Sequence, residues 1–353
     1  MSAPAGEASA TPARTVVYVA NADSHDIAVL ALDAGASHAA PLREIDRLAT
    51  GGSVMPLAVS PDKRFLYASI RSEPFRVLSL AIDPASGGLE PVGSAALPAS
   101  MCWISTDPRG RFLLAASYGS SLVSVSPIDG NGVAGEAQQI VATDANAHAI
   151  QVDPANRFAY VTCLGGGVVR QMRFDAATGR LDDHGSVAWR SRAGAGPRHF
   201  VFHPTEPLVF LLNELDATID VLELDRATGT LTGISVAHAL PAHFAGGAPW
   251  AADLHLTPEG RFLYVSERRS STLASFAVDA GRGLLAPIET VATEAEPRGF
   301  AISPDGRFLV AVGQASHRLS RYSIDEESGK LSLVASQEVG RNPNWVEIVE
   351  LPR

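Results

Sequence analysis

The sequence predicts an all-β protein, a seven-bladed β-propeller with four-stranded antiparallel blades. Three observations predict it: a recurring strand-turn-strand motif, short strands of alternating hydrophobicity, and chain ends that each carry half of one motif. The motif is complete in His255 to Arg268, where an apolar run, Thr257-Pro258-Glu259-Gly260 and a second apolar run follow one another. The motif prolines are Pro61, Pro108, Pro154, Pro204, Pro258 and Pro304. Their separations of 47, 46, 50, 54 and 46 residues indicate a repeat architecture.

Two further strands complete each repeat. Ile219 to Leu224 alternates between apolar and polar residues, as a half-buried third strand does. A turn follows that begins with Asp and ends with Gly, as in Asp225 to Gly229, where Gly supplies a positive φ. A more variable fourth strand then leads to the next repeat. Four short strands per repeat, with no convincing helical segment, are typical of propeller blades.

The two ends of the chain share one blade. Val16 to Asn21 matches the second strand of the motif, and Asn342 to Ile348 matches the first. Six complete repeats and this split one give seven blades, and pairing of the N-terminal and C-terminal strands closes the ring without an open edge. We therefore expect one propeller domain over residues 16–353, preceded by a disordered tail, residues 1–15, that is small and polar.

Composition limits the partners of the protein. The 353 residues are 46% apolar and 19% charged, and their net charge of −10 gives no general attraction for nucleic acid or anionic membranes. No apolar run is long enough to predict a membrane span. Cys102 and Cys163 are too few for a disulfide framework, which fits a reducing cytoplasm. We expect a cytoplasmic protein, monomeric or weakly homo-oligomeric.

Strand order predicts which side chains face the central channel. The first strand of a blade lines the channel and the second returns beside it. A residue six before each motif proline and one ten after it therefore lie at the same mouth. The six-before residues are Met55, Cys102, His148, Arg198, Ala252 and Arg298, with Asn344 in the split blade, and the ten-after residues are Arg71, Tyr118, Leu164, Glu214, Arg268 and Gln314. Four arginines, one histidine and one glutamate thus predict a basic site.

His148 and Glu214 are the predicted catalytic residues of this mouth. A neutral imidazole can act as a general base near pH 7, and the carboxylate can orient it or the water, or act as the base itself. The predicted substrate-binding arginines are Arg71, Arg198, Arg268 and Arg298. Two of them follow a proline at identical phase, and a planar guanidinium suits carboxylate or phosphate. The alternative is structural: a capping histidine and inter-blade salt bridges.

Two other patterns carry no predicted chemistry. Arginines three residues after the motif proline recur at the opposite end of nearly every blade and are expected to serve the scaffold. They are Arg64, Arg111, Arg157, Arg261 and Arg307. The channel phases supply only one carboxylate, whereas calcium requires several converging oxygens. No metal and no cofactor are therefore predicted.

Five segments carry a family resemblance. They are Val59-Ser60-Pro61-Asp62-Lys63-Arg64, Gly194 through Pro204, Asn213-Glu214-Leu215, Trp250-Ala251-Ala252-Asp253 and Glu296-Pro297-Arg298-Gly299-Phe300. They resemble the bacterial propeller-type 6-phosphogluconolactonase family over almost the whole chain. Resemblance to the fungal carboxy-muconate lactonising enzyme of the same superfamily implies roles at His148, Arg198, Glu214 and Arg268. Within the specific segment Pro197-Arg198-His199 we also assign His199 to substrate binding.

The sequence departs from that family at two places. Arg268 is followed directly by Arg269, so either one can enter the channel. The segment Ser72-Glu73-Pro74-Phe75 is one residue longer than in relatives, which weakens the assignment of Arg71.

The resemblance implies hydrolysis of a phosphorylated sugar δ-lactone, 6-phosphogluconolactone to 6-phosphogluconate in the pentose phosphate pathway. The expected partner is this small anionic lactone, opened by water with general-base help. Three alternatives stay open: a lactonase for another sugar lactone, a carboxy-cis,cis-muconate cycloisomerase that closes a lactone, and a propeller that only binds proteins. The last alternative lacks the Gly-His and Trp-Asp repeat signature.

Overall fold

The computed structural model describes residues 15–32, 41–182, 185–241 and 243–351, and all regular elements in these ranges are β-strands. In chain order they are β1 (Thr15–Asn21), β2 (Asp26–Leu32), β3 (Arg43–Ala49), β4 (Val54–Val59), β5 (Phe65–Ile70), β6 (Arg76–Ile82), β7 (Leu89–Ala96), β8 (Trp103–Thr106), β9 (Phe112–Ser117), β10 (Leu122–Pro127), β11 (Gln139–Ala142), β12 (Ala147–Val152), β13 (Phe158–Cys163), β14 (Val168–Asp175), β15 (Arg180–Asp182), β16 (Val187–Arg190), β17 (Pro197–Phe202), β18 (Leu208–Asn213), β19 (Thr218–Leu224), β20 (Leu231–His238), β21 (Ala251–Leu256), β22 (Phe262–Glu267), β23 (Thr272–Asp279), β24 (Leu284–Ala292), β25 (Pro297–Ile302), β26 (Phe308–Gly313), β27 (Arg318–Ile324), β28 (Leu331–Glu338) and β29 (Pro343–Glu350).

These strands form seven antiparallel sheets, which confirms the predicted seven-bladed β-propeller. Six sheets contain consecutive strands, beginning with β4, β8, β12, β17, β21 and β25. The sheet that begins with β12 counts five strands because its outer strand is divided into β15 and β16, which both pair with β14. The seventh sheet has the order β29-β1-β2-β3.

The seventh sheet joins the two ends of the chain. β1 pairs antiparallel with β29, from Thr15 opposite Glu350 to Ala20 opposite Trp345. The predicted pairing of the N-terminal and C-terminal strands is thereby confirmed. Most of the predicted tail, residues 1–14, lies outside the described residues, as do 352–353, and β1 begins at Thr15. The single-domain assignment stays a prediction.

Apolar side chains from facing sheets fill the space between adjacent blades. Tyr264 of β22, for example, packs with Phe300 and Leu331 of the next blade. The buried hydroxyl of Tyr264 donates to the carbonyl of Gly329, 2.7 Å away in the next blade's hairpin turn. The same inter-blade bond joins Tyr18 to Gly87, Tyr67 to Gly132 and Tyr160 to Gly229. The turn glycines, whose φ is positive, thus also accept bonds that hold neighbouring blades together.

The repeated arginines lie where a scaffold role requires. The Arg111 guanidinium lies 5.5 Å from the ring centroid of Phe112 and donates to the carbonyls of Ala176 and Ala177 in the next blade. Four further arginines lie over the phenylalanine that follows them: Arg64, Arg157, Arg261 and Arg307. These contacts are consistent with the structural assignment.

Candidate active site

The predicted channel residues of the first strands occupy β-bulges. In β12, Ala147 pairs with Cys163 and Ala149 with Thr162, which leaves His148 as the extra residue. The extra residue is likewise Arg198 in β17, Arg298 in β25 and Asn344 in β29. A bulge bends the strand and re-aims the side chain of its extra residue. In these four blades, the residue that the repeat predicts to face the channel from the first strand is therefore the extra residue of a bulge.

A residue with positive φ precedes each of these bulges by two positions. These residues are Asn146 (φ 60°), Gly196 (73°), Glu296 (55°) and Asn342 (53°). Glycine and asparagine adopt this conformation most readily, and Glu296 is the exception. The chain thus turns sharply just before each side chain that enters the mouth of the channel.

Glu214 is clamped by two buried guanidiniums. Its Oε2 accepts from Nε of Arg198 at 2.7 Å and from Nη2 of Arg268 at 2.9 Å. Arg198 is 0% exposed and Arg268 is 3% exposed, whereas the carboxylate side chain keeps 13% of its surface accessible. Nη1 of Arg198 also donates to the carbonyl of Ala252. Buried charges that are paired and hydrogen-bonded in this way hold one geometry.

Arg268, and not Arg269, enters the channel. Its guanidinium is buried and lies 3.8 Å from the ring centroid of Trp250, while that of Arg269 is exposed, 5.6 Å from the same ring. Burial, and then the charges of Arg198 and Arg298, lower the pKa of Arg268, and Glu214 opposes them. The mouth therefore carries more positive charge than its own carboxylate balances.

Arg298 is the least compensated charge of the mouth. Among the described residues no carboxylate forms an ion pair with it, and its buried Nε has no hydrogen-bond partner. Burial, followed by the charges of Arg198 and Arg71, lowers the pKa of Arg298. Nε of Arg71 donates to Oγ of Ser100 at 3.1 Å. An anion bound between Arg71 and Arg298 would relieve this repulsion.

His148 lies beside the guanidiniums as a neutral imidazole. It is 4% exposed, and its Nδ1 is buried without a partner within the described chain. Burial, and then the charges of Arg198 and other neighbours, hold the pKa of His148 well below 6.5. The edge of Tyr118 lies on one side, with ring centroids 5.9 Å apart. A neutral imidazole beside cations can accept a proton from water that they polarise.

His199 lies in the layer beneath the mouth. It is 2% exposed, and its ring centroid is 5.0 Å from that of His148 and 4.6 Å from that of Trp103. Its Nδ1 lies 2.9 Å from Oδ1 of Asp253. The predicted site residues are thus brought to one mouth, with His199 enclosed under Arg198. Its assignment to substrate binding, like every role assigned above, stays a prediction.

Sequence phase missed two residues of the site. Trp250 stacks on Arg268, and Asp253 hydrogen-bonds His199. Both belong to a segment quoted for its resemblance, but neither falls on the two phases. In the bulge of β21, Ala251 pairs with Glu267 and Leu254 with Val265, so Ala252 and Asp253 both lie opposite Ser266. The six-before phase selects Ala252 alone, so the phase count could not find Asp253.

A cavity of about 330 Å³ lies on the other side of the His199 layer. Its polar lining includes Gln151, Asp253, His255 and Glu347. Oδ2 of Asp253 lies 3.2 Å from Nε2 of His255, and Trp345 donates to Glu347 at 3.0 Å. Burial raises the pKa of Glu347 to about 7, against the effect of the Trp345 bond. The two mouths of the channel therefore differ in charge.

The described ranges contain neither a candidate metal cluster nor a candidate membrane-spanning helix. No three or more His, Cys, Asp or Glu side chains there are grouped to hold a metal ion. No helix in those ranges is long and apolar enough to cross a membrane. Metal independence remains a prediction.

The fold and the site together define a class of protein, a seven-bladed β-propeller with a basic site built on bulges at one mouth of its channel. The chain belongs to the family described as Lactonase, 7-bladed beta-propeller, whose model matches residues 15–348. The predicted family is thereby confirmed.

Named relatives span nearly the whole chain. A 6-phosphogluconolactonase from Pectobacterium carotovorum is 40% identical over 336 residues, covering 95% of this chain and 99% of that protein. A 6-phosphogluconolactonase from Serratia proteamaculans is 40% identical over 338 residues, with the same coverage. The solved structure of a periplasmic gluconolactonase from Pseudomonas aeruginosa is similar with a TM-score of 0.88 and 26% identity, covering 96% of this chain and 100% of that one. These relatives are lactonases by name.

Proposed function

We propose that the protein hydrolyses 6-phosphogluconolactone to 6-phosphogluconate at the basic mouth of the channel. The observation that carries the proposal is Arg298, a half-buried guanidinium without a carboxylate partner in the described chain, beside Arg71. A phosphate between these two arginines would receive charge-assisted hydrogen bonds and balance their charges. The names of the relatives at 40% identity support the same substrate.

The chemistry assigned to the site is direct attack by water. Water adds to the lactone carbonyl while a base takes its proton, and the ring oxygen leaves with a proton as a hydroxyl group. The negative charge that develops on the carbonyl oxygen is stabilised by a guanidinium, a role that we assign to Arg268. A lactone is an activated ester, so no covalent intermediate is required.

His148 is the proposed base. Its lowered pKa keeps the imidazole neutral at pH 7, and its neighbours on the channel side are cations. Glu214 is proposed to orient the water, because Oε2 is held by two guanidiniums while the side chain stays partly exposed. The reverse assignment, with Glu214 as the base, would leave the product unchanged.

A direct assay tests the proposal. Lactone disappearance is followed with 6-phosphogluconolactone, gluconolactone and a carboxy-muconate, each with and without EDTA and corrected for spontaneous hydrolysis. We expect rapid opening of the phosphorylated lactone in the presence of EDTA. Turnover of the carboxy-muconate alone would favour the cycloisomerase, and no turnover of any of the three would favour a binding propeller.

A second candidate is hydrolysis of an unphosphorylated sugar lactone. The structural relative that is a periplasmic gluconolactonase favours it. In that case the arginines would contact hydroxyl groups and the developing oxyanion only, and gluconolactone would be opened as fast as its phosphate ester. For the leading candidate we retain the cytoplasm and a monomer or weak homo-oligomer as predictions, to be checked by fractionation and light scattering.

A further inference from the structure

A chain of polar contacts leads from the cavity below the His199 layer to the carboxylate of the basic mouth. Asp253 Oδ1 lies 2.9 Å from His199 Nδ1. His199 Nε2 lies 3.1 Å from Nη1 of Arg198. Nε of Arg198 then donates to Glu214 Oε2 at 2.7 Å. Two blades contribute to this chain, because Asp253 lies in β21 of one blade, while Arg198 and His199 in β17 and Glu214 after β18 belong to the preceding blade.

The tautomer of His199 follows from its neighbours. An ionised carboxylate beside Nδ1 requires a proton on Nδ1, which leaves Nε2 unprotonated in the neutral ring. The other tautomer would turn a lone pair toward the carboxylate of Asp253. Nη1 of Arg198 lies 3.2 Å from Nδ1 and 3.1 Å from Nε2, and these nearly equal distances place it over the face of the imidazole.

The charge states agree with this geometry. Burial opposes ionisation of Asp253, but its bonds to His255 and His199 hold the pKa of this carboxyl below its usual range. Burial, and then Arg198, lower the pKa of His199 to about 3, so the ring is neutral. A neutral ring can pack its face against the guanidinium of Arg198, whereas an imidazolium would repel it.

The bulge of β21 fixes Arg198 by a second contact. Ala252, which precedes Asp253 in the bulge, accepts from Nη1 of Arg198 through its carbonyl. The backbone N–H of Asp253 donates to Oγ of Ser266 at 3.1 Å, which holds the bulge itself. The two residues of this bulge, Ala252 and Asp253, therefore orient the guanidinium through a backbone and a side-chain route.

We propose that Asp253 is a positioning residue, which acts through the Nδ1–H tautomer of His199 to fix Arg198 and thereby the carboxylate of Glu214. The proposal rests on the proposed function for its kinetic readout, but not for its spectroscopic one. A carboxylate in the second layer would thus set the geometry of a site that it does not touch. Misplacement of a reacting group by about 1 Å can lower a rate about 100-fold.

The test combines kinetics with the ¹⁵N spectrum of histidine. In the Asp253→Asn variant we expect kcat to fall about 10- to 100-fold, with KM changed less than about 3-fold. The His199 ¹⁵N signals, assigned by their loss in a His199→Gln variant, should shift from the Nδ1–H pattern toward the other tautomer. Asp253→Glu should restore part of both readouts.

Two more variants serve as controls. Glu347→Gln changes a carboxylate of the same cavity that is bonded to Trp345 and not to His199, so kcat should stay within about 3-fold of wild type. His199→Gln can still donate to Asp253, whereas His199→Leu cannot, so the glutamine variant should retain more activity. This pair also decides the case if Asp253→Asn does not fold.

The outcomes are distinct. Wild-type kcat in folded Asp253→Asn, or a lowered kcat with the His199 tautomer unchanged, would overturn the positioning role. Equal loss of activity in His199→Gln and His199→Leu would overturn it as well. If the wild-type protein opens no lactone, the proposed function fails, and the ¹⁵N spectra of wild type and Asp253→Asn still decide the link between Asp253 and His199.

Discussion

Nε of Arg198 lies 2.7 Å from Oε2 of Glu214, and the guanidinium is completely buried. The two residues belong to one hairpin, since Pro197 pairs with Asn213 and each site residue follows its member of that pair. A buried guanidinium that engages its carboxylate so closely serves to hold it. The substrate-facing charge must then come from residues with more access, such as Arg298.

The first prediction concerns the two proposed proton-handling residues. His148→Asn and Glu214→Gln should each lower kcat for 6-phosphogluconolactone by about 100-fold or more, because each removes a group that transfers or orients a proton. KM should change little, since neither is assigned to the phosphate. Steady-state kinetics check the effect, and circular dichroism checks folding. An unchanged kcat in a folded single variant would remove that residue from the mechanism.

The second prediction concerns the anion anchor. Arg298→Met should lower kcat/KM for 6-phosphogluconolactone by about 10- to 100-fold, the cost of a lost charge-assisted hydrogen bond. For gluconolactone the same variant should change kcat/KM less than about 3-fold. Arg269→Gln is the matched control, because Arg269 is an exposed arginine that makes no ion pair with Glu214. An equal loss with both lactones would contradict the anchor role.

The third prediction concerns pH. Because the pKa of His148 is held well below 6.5, kcat/KM should stay level as the pH falls through 6.5 and decline only at clearly lower pH. The free energy of unfolding, in contrast to kcat/KM, should change as the pH falls through 6.5. The unfolded chain takes up protons at its histidines from about pH 6.5 downward while His148 and His199 stay neutral, so the free energy of unfolding should decrease over that range.

Urea unfolding at pH 7 and pH 5 measures this decrease. This decrease between pH 7 and pH 5 should be smaller in His199→Gln than in the wild type, by up to about 2 kcal/mol. One pKa unit corresponds to about 1.4 kcal/mol, and the pKa of His199 is lowered to about 3. An acid limb of kcat/KM centred near pH 6.5 would indicate an ordinary histidine and would argue against His148 as the enclosed base.

The fourth prediction concerns the contacts between blades. Tyr264→Phe should lower the free energy of unfolding by about 1 kcal/mol, because the carbonyl of Gly329 loses its buried donor. Activity should be unaffected, since Tyr264 lies in the scaffold between two blades. Denaturant titration and kcat together test this. A loss of activity at unchanged stability would show that the blade interface communicates with the site.

The repeat explains why much of the molecule could be predicted. The sequence displays its period directly. From that period follow the number of strands in a blade, the number of blades, the pairing of the two terminal strands and the positions that face the channel. His148, Arg198 and Arg298 share one phase because each is the extra residue of a bulge with the same length. Because the blades repeat, the bulge occurs at the same position in each of these three blades.

The remaining features depend on departures from the repeat. Asp253 escaped the phase count because, of the two residues opposite Ser266 in the β21 bulge, only Ala252 stands six before the motif proline. The choice between Arg268 and Arg269 depends on which side chain follows the last paired residue of β22 into the channel, and adjacent arginines look alike in sequence. The bond between His199 and Asp253 joins residues of two blades that are 54 positions apart in the sequence, and no local sequence pattern predicts such a contact.

The most direct test of the central claim is the turnover of the His148→Asn, Glu214→Gln double variant with 6-phosphogluconolactone, corrected for spontaneous opening of the lactone. Folding is checked in the same preparation by thermal unfolding. We expect at most about 1% of the wild-type kcat, and little further loss beyond the single variants, because the two groups act on one proton transfer. A folded double variant that turns over at the wild-type rate would contradict the assignment of the basic mouth as the active site.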